Sequence, residues 1–212
     1  MRCWSGRLGY LLLATGLATH GPAQGATPHA AVTVPGAHSE PRIWYPADSY
    51  PELSLPDGRR EVVRSMLDIP RRMRFGEFVW NEDHIPQGPV WVRIDLARQL
   101  LSVFRGGHEI GTAVILYGTD GKPTPTGSLT ILEKNPNYYS HNYHAPMPYM
   151  LRLTNDGVAI HGSNVREGYA SHGCIGVPLD FARLLFGATN KGDLVAVFPA
   201  QAKIQPDHAK TE

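Results

Sequence analysis

The sequence is poor in cysteine, with only Cys3 and Cys174 among 212 residues. Small secreted domains held together by disulfides need several cysteine pairs, so that class is excluded. A structural zinc site is disfavoured because no compact Cys-x2-Cys or His-x3-His pair is present. We predict no metal and no cofactor. The side chains weighed as zinc ligands are His141, His144, His161, His172 and Cys174.

The sequence also lacks a strong charge of either sign and any long hydrophobic run. Its formal net charge is +1 at pH 7, which offers no basic field for nucleic acid, so no nucleic-acid partner is predicted. The apolar run at residues 8–18 is too short to cross a bilayer core of about 30 Å as a helix. We therefore predict no stable membrane span.

The same apolar run has the features of an export signal. Two arginines precede it, and Ala23-Gln24-Gly25 follows it as a small-x-small cleavage site. We predict a signal peptide over residues 1–25 and a periplasmic or secreted protein. Cleavage removes Cys3, so Cys174 keeps no internal disulfide partner and is either a buried, inert thiol or a reactive one.

Turn-forming residues are abundant, with 22 glycines and 18 prolines, and this composition favours a β-rich fold. Residues 26–89 are interpreted as a leader and an N-terminal extension. Residues 90–199 form the predicted main domain, and residues 200–212 form a polar tail.

Within the extension we predict one helix over residues 57–69. Asp57 is the expected N-cap, apolar residues form one stripe, and Pro70 ends the run. The short basic run Arg71-Arg72-Met73-Arg74 that follows is interpreted as a solvated segment.

From Val90 onward the hydrophobic period changes to two, which predicts a meander of short antiparallel strands. The predicted strands cover residues 90–95, 99–104, 109–116, 128–132, 149–153, 158–160 and 194–198. One amphipathic helix is predicted after the cysteine, with Pro178 near its first turn and Gly187 at its C′ position. The segment 135–149 is interpreted as a loop. The predicted fold class is mainly β with one or two short helices.

The most informative segment combines His161-Gly162-Ser163-Asn164 with Ser171-His172-Gly173-Cys174. A cysteine nucleophile needs a base to remove its proton and dipoles to stabilise the oxyanion that it creates. His172 would share a strand face with Cys174, whereas His161 ends an apolar run that would carry it to a sheet edge. Both imidazoles are therefore candidate bases, and an adjacent imidazolium is expected to lower the thiol pKa.

The backbone before the thiol is the candidate oxyanion site. Gly173 has no side chain, so it permits unusual dihedrals and a close approach of backbone to substrate. The N–H groups around Gly173 and Cys174 are the candidate donors.

These motifs resemble the active-site signature of the L,D-transpeptidases, also called YkuD-type domains. Ile160-His161-Gly162 and Ser171-His172-Gly173-Cys174-Ile175 carry the resemblance. Residues 92–104 are similar to the family's opening hairpin, and Thr124-Pro125-Thr126-Gly127 is similar to the turn before its next strand. The resemblance covers roughly residues 90–199 and implies a small L,D-transpeptidase-like β-sandwich or barrel.

The resemblance also implies roles for the site residues. Cys174 is expected to be the nucleophile and His161 the proton donor and acceptor, while His172, Ser171 and Gly173 shape the oxyanion site. The expected donor is the tetrapeptide stem of peptidoglycan, cleaved after its third residue through a Cys174 thioester. The acyl group then passes to the amine of a second stem or of an anchored protein.

Such an enzyme would act in peptidoglycan biosynthesis, cell wall biogenesis and cell shape, in association with the cell wall, and carbapenems would be its expected inhibitors. In this family, the predicted loop at 135–149 would form a flap over the acyl-donor channel that excludes water. The alternative is a surface loop whose aromatic side chains pack on the sheet.

Two features depart from the family pattern. The gap between His161 and Ser171 is short, and Gly176 stands where many members carry an arginine. The candidate substitutes for that arginine are Arg152, Arg166 and Lys122. These departures keep two alternatives open: an L,D-carboxypeptidase that trims stems with water as acceptor, and a non-catalytic cell-wall-binding module with the same fold.

Overall fold

The computed structural model describes residues 41–118 and 121–200. The predicted signal peptide with Cys3, the first part of the leader, and the polar tail from residue 201 lie outside the described residues. In the part of the chain that is described, no helix has both the length and the apolar character needed to cross a membrane.

The described residues form short strands and one helix. The strands of the extension are β1 (Arg42–Trp44), β2 (Glu52–Ser54), β3 (Arg60–Val62), β4 (Ser65–Leu67) and β5 (Phe78–Trp80). The next strands are β6 (Val90–Asp95), β7 (Leu100–Arg105), β8 (His108–Val114), β9 (Gly127–Thr130), β10 (Glu133–Ser140) and β11 (Ala145–Arg152). The last elements are β12 (Ala159–Gly162), β13 (Ile175–Val177), α1 (Leu179–Ala188) and β14 (Leu194–Phe198).

These strands form a large mixed sheet, a smaller sheet and a hairpin. The large sheet has the order β1-β4-β8-β7-β6-β14-β9, and β5 also pairs with β8. The smaller sheet has the order β10-β11-β12-β13, while β2 pairs only with β3. The predicted antiparallel meander is confirmed for β6, β7 and β8, and the mainly β fold class is confirmed. The parallel pairs β14–β6 and β12–β13 were not predicted.

The main hydrophobic core lies between the two larger sheets and α1. Its fully buried members include Val92, Ile94, Leu101, Val103, Ile110, Leu151, Ile160, Ile175, Phe181 and Leu185. Phe181 is the fully buried phenylalanine of the helix. Its ring packs edge-on against Phe78 at 5.7 Å and Trp80 at 5.5 Å between ring centroids. The helix therefore packs against both the extension and the sheets.

The extension buries the outer face of the large sheet. Trp91 stacks on Phe104 with ring centroids 4.5 Å apart, and both are buried with Leu55 and Val63 in a second apolar cluster. The Arg42 guanidinium fixes the edge by donating to the backbone carbonyl of Asn81 at 2.6 Å and to the Ser65 hydroxyl at 3.0 Å. Strands β6 and β7 are thus covered on both faces.

The predicted helix over residues 57–69 is wrong. Asp57 does not cap a helix; its carboxylate accepts from the backbone N–H and the guanidinium of Arg59. Gly58, with φ +84°, reverses the chain between β2 and β3. The β-branched Val62 and Val63 suit extended backbone, and pairing with neighbouring strands outweighs the helical spacing of the apolar residues.

Two further expectations are corrected. Residues 135–149 are not a loop but most of the β10–β11 hairpin, whose prolines and exposed polar residues obscure the period-two pattern. Gly187 lies inside α1 rather than beyond its end. The helix ends at Ala188, and its C-cap residue Thr189 donates to the carbonyl of Leu185 from both its backbone N–H and its hydroxyl, at 3.1 and 2.8 Å.

We expect Phe181→Ala to lower the free energy of unfolding by about 3–5 kcal/mol, because it removes a fully buried ring and leaves a cavity. Leu179→Ala on the same helix is the control, since Leu179 is 53% exposed and should change stability by less than about 0.5 kcal/mol. Denaturant unfolding of both variants measures the difference. Equal effects would contradict the assignment of Phe181 to the core.

Candidate active site

Two parallel strands bring the histidine and cysteine motifs together. In the β12–β13 pair, Ile160 lies opposite Ile175 and His161 lies opposite Gly176. Both isoleucines are buried in the main core. Because successive residues of a strand point to opposite faces, His161 and Gly176 face away from that core. Cys174 precedes β13 by one residue and shares the face of Gly176.

Cys174 sits in the wall of the site rather than in the core. It is partly buried and packs against a small cluster of Met147, Met150 and Ala159. Its thiol donates a long hydrogen bond to the Gly157 carbonyl, with 3.9 Å between sulfur and oxygen. One side of the thiol faces a cavity and is open to a ligand.

That cavity has a volume of about 340 Å³. The predicted site residues that line it are His161, Ser171, His172 and Cys174. The β10–β11 hairpin supplies a second group of lining residues, namely Ser140, Tyr143, Ala145, Pro146 and Met147. The predicted flap segment therefore contributes to the cavity as a β-hairpin. Four of the five predicted residues share one cavity, and Gly173 is buried beside it.

Hydrogen bonds fix the backbone around the thiol. Gly173 has φ +100°, in the region that favours glycine. Its carbonyl accepts from the buried hydroxyl of Thr124 at 2.9 Å, and that hydroxyl accepts from the Gly118 N–H at 2.9 Å. The Ser171 hydroxyl donates to the Cys174 carbonyl. Thr124 was missed as a site residue, although it opens the turn motif that supported the resemblance.

His161 is held in one tautomer by its neighbour. Its Nδ1 lies 3.0 Å from the Gly162 carbonyl oxygen, which can only accept, so Nδ1 carries the hydrogen. Nε2 is then the unprotonated nitrogen that can accept a proton. Gly162 was also missed, because a backbone carbonyl has no signal in the residue type. A Cβ at Gly162 would lie 2.9 Å from Leu179, so glycine permits this close packing on α1.

Burial shifts the pKa values of Cys174 and His161 in the directions that disfavour an ion pair between them. It raises the pKa of the Cys174 thiol, an effect opposed by the Ala159 N–H and by the positive charge of Lys122. Burial also lowers the pKa of His161. At neutral pH both groups are uncharged, so the expectation that an adjacent imidazolium lowers the thiol pKa is wrong.

His172 lies at the mouth of the cavity rather than behind the thiol. It is exposed, and its ring lies against Tyr143 with centroids 5.2 Å apart. The Tyr143 hydroxyl in turn accepts from Lys122 Nζ at 2.6 Å. Lys122, Tyr143 and His172 also line a second, smaller cavity of about 60 Å³ that includes Cys174 and Asp156.

Local packing explains why glycine rather than arginine stands at position 176. A Cβ at this position would lie 2.9 Å from the Cβ of Ser163, so Ser163 occupies the space where an arginine would leave the strand. Of the three candidate substitutes, Lys122 is the one that lines a cavity together with Cys174. Arg152 forms an ion pair with Glu133, and Arg166 lines a different cleft.

The histidines weighed as zinc ligands do not assemble with the cysteine into a metal site. Over residues 41–118 and 121–200, no group of three or more His, Cys, Asp or Glu side chains is arranged to hold a metal ion. His141 instead packs edge-on against Tyr139 on the hairpin, with ring centroids 5.9 Å apart.

Comparison with known proteins connects this site to a family. Residues 89–197 match the YkuD family model, described as the L,D-transpeptidase catalytic domain. L,D-transpeptidase 1 of Mycobacterium tuberculosis is 30% identical over 119 residues, which are 48% of this chain and 47% of the relative. The chain thus spans about half the length of the curated relatives that it matches.

Solved structures of L,D-transpeptidases are also similar. The structure from Stackebrandtia nassauensis shares 27% identity, covers 55% of this chain and 60% of its own, and gives a TM-score of 0.49. The transpeptidase LdtMt1 in complex with imipenem shares 25% identity, covers 51% of this chain and 58% of its own, and gives a TM-score of 0.48.

The family model covers slightly more than half of the 212 residues. The resemblance read from the motifs is confirmed, and the chain belongs to the YkuD family of L,D-transpeptidase catalytic domains.

Proposed function

We propose that this protein is an exported cysteine acyltransferase that cleaves the tetrapeptide stem of peptidoglycan after its third residue and transfers the acyl group to an amine. The observation that carries this proposal is the shared cavity of Cys174 and His161, with the His161 tautomer fixed by the Gly162 carbonyl. A thiol and an oriented, unprotonated imidazole nitrogen are the parts that a covalent acyl transfer requires.

In the first half-reaction, Cys174 Sγ attacks the carbonyl carbon of the third residue and His161 Nε2 takes the thiol proton. The oxyanion that forms is stabilised by backbone N–H groups around Gly173 and Cys174, which the bonds from Thr124 and Ser171 hold in place. When the oxyanion collapses, the peptide C–N bond breaks and His161 gives its proton to the departing D-Ala amine. The stem is left as a thioester on Cys174.

In the second half-reaction, an acceptor amine attacks the thioester carbonyl and gives its proton to His161. Collapse of this second oxyanion breaks the C–S bond, and the proton returns to the sulfur. Because Cys174 and His161 are uncharged at rest, the proton moves during attack rather than before it. His161 therefore acts as a general base and then as a general acid.

Lys122 is the proposed replacement for the arginine that is absent at position 176. Its ammonium group lies 2.6 Å from the Tyr143 hydroxyl at the tip of the hairpin and lines a cavity with Cys174. A carboxylate of the donor stem that enters beside the thiol would meet this cation. His172, whose ring packs at a tilt against the same tyrosine ring, shapes that entrance.

The hairpin favours an amine acceptor over water. Ser140, Tyr143 and Met147 line both cavities beside Cys174, so the hairpin lies over the thiol. A cover of this kind limits the access of water to a thioester. The proposed products are 3-3 crosslinks between stems or a protein anchored to the wall, made in the periplasm or outside the cell.

We expect wild-type protein to gain the mass of one imipenem molecule, because the thiol would open the β-lactam ring and keep it as a thioester. Cys174→Ala should gain no mass while keeping the circular dichroism of the wild type. Intact mass spectrometry measures the adduct, and release of D-Ala from tetrapeptide muropeptides measures turnover. If the wild type shows neither, the protein is a non-catalytic wall-binding module.

We expect His161→Ala to reduce the rate of D-Ala release by about 10²- to 10⁴-fold, the usual contribution of a general acid–base group. His172→Ala is the matched control at the mouth of the same cavity and should reduce the rate by less than about 10-fold, since it removes packing on Tyr143 but no proton transfer. A larger loss for His172→Ala than for His161→Ala would reverse the assignment of the base.

We expect the rate of Cys174 alkylation by iodoacetamide to rise with pH and to reach its midpoint above the ordinary cysteine pKa of about 8.5. Burial raises the thiol pKa, so the reactive thiolate is scarce at neutral pH and becomes abundant only in more alkaline solution. The pH profile of intact mass after timed alkylation measures this midpoint. A rate that is already at its plateau at neutral pH would contradict an uncharged pair.

A further inference from the structure

A cleft larger than the catalytic cavity lies on the surface formed by the extension, residues 98–100 and the loop between His161 and Cys174, here called the catalytic loop. Its volume is about 920 Å³. Its floor is apolar and includes Ile69, Met73, Phe75, Leu100, Val114 and Val165. Its charged lining residues are Arg71, Arg72, Arg74, Arg98, Arg166 and Glu167. On sequence alone, the basic run at residues 71–74 is interpreted as a solvated segment. In the structure this run lines the cleft.

The cleft concentrates positive charge on a chain whose net charge is only +1. Arg71 pairs with Glu77 at 2.8 Å, and Arg98 pairs with Asp95 at 2.8 Å. Even when these two partners and Glu167 are counted, the five arginines outnumber the carboxylates by two. A guanidinium group presents paired donors that match the oxygens of a carboxylate. The five exposed arginines, here called the rim of the cleft, are therefore suited to an anionic ligand.

The arginine run is held in a defined shape. The Glu77 carboxylate accepts two bonds from the Arg71 guanidinium, at 2.8 and 3.1 Å, and one from the Arg74 N–H at 2.8 Å. Gly76, with φ +85°, brings the backbone so close to the catalytic loop that an added Cβ would lie 3.4 Å from the Val165 carbonyl oxygen. The rim is therefore anchored at both ends of the turn.

The cleft adjoins the catalytic cavity. Val114 lines the cleft, and Leu116, two residues further along the same extended segment, lines the cavity. The loop between His161 and Cys174 also contributes to both sites, since residues 165–167 line the cleft and Ser163 and Ser171 line the cavity. Residues 69–75 of the cleft lie outside the family match at 89–197, so this chain's own extension completes the site.

We propose that this arginine-lined cleft binds the carboxylates of a second peptidoglycan peptide while the first occupies the cavity of Cys174. The proposal rests on the proposed function for the identity of the peptide. The apolar floor receives the aliphatic side chains of that peptide, and Arg72 and Arg74 bind its carboxylates. Binding at the cleft places the second stem beside the thioester, where its amine is needed.

The test measures binding of a fluorescently labelled tetrapeptide, L-Ala-γ-D-Glu-meso-diaminopimelate-D-Ala, to the full chain carrying Cys174→Ala. We expect Arg72→Gln combined with Arg74→Gln to weaken binding roughly 2- to 30-fold, the range given by the loss of two exposed charge pairs. Binding should also weaken as ionic strength rises from about 0.01 M to about 0.15 M, over which screening shortens from about 30 Å to about 8 Å.

The matched control combines Arg59→Gln with Arg60→Gln. It removes the same charge from exposed arginines of the β2–β3 hairpin, which does not line the cleft. Equal weakening by both double variants would reduce the effect to net charge and overturn the proposal. An unchanged affinity for the cleft variant would overturn it as well.

A second ligand distinguishes peptide from phosphate. If inorganic polyphosphate bound more tightly than the tetrapeptide and required Arg72 and Arg74, the cleft would serve a phosphate polymer and the peptide proposal would be overturned. Because the binding protein lacks the Cys174 sulfur, these results do not depend on acyl transfer. Failure of the proposed function appears separately, as the absence of an imipenem adduct on the wild type.

Discussion

The parallel pairing of β12 with β13 is the constraint on which the site depends. Ile160 and Ile175 lie opposite one another and are fully buried in the main core. A slip of one residue would turn these side chains to the cavity and would move His161 toward the core. The hydrophobic effect that fixes the core therefore also fixes which face carries the histidine and Cys174. The geometry of the candidate site thus follows from the packing of the core behind it.

Burial then sets the charge state of the reacting pair. The same partial enclosure raises the thiol pKa and lowers the imidazole pKa, so both groups rest uncharged. In the proposed reaction, charge develops only as the proton moves, while the hairpin limits water and fixed backbone dipoles stabilise the oxyanion. Residues before the family domain also contribute to the structure around the site. They cover the Trp91 face of the large sheet and add the arginine rim beside the cavity.

Local patterns predicted much of the fold. The period of two located β6 and β7, and the apolar stripe after the cysteine located α1. The helix predicted over 57–69 failed because its apolar spacing also suits two short strands, and only distant partners decide between them. The motifs named the residues of the cavity, but not the Gly162 carbonyl or the Thr124 hydroxyl. Those two act through backbone hydrogen bonds, which residue types do not encode.

The central claim is that His161 and Cys174 rest uncharged, with the His161 tautomer fixed by the Gly162 carbonyl. Measuring the ¹⁵N chemical shifts of the His161 ring at neutral pH in the full chain tests this claim most directly. A protonated Nδ1 held by the Gly162 carbonyl and an unprotonated Nε2 are predicted, with the same tautomer in the wild type and in Cys174→Ala. A ring protonated on both nitrogens in the wild type, which loses a proton when the sulfur is removed, would show a preformed ion pair and contradict the claim.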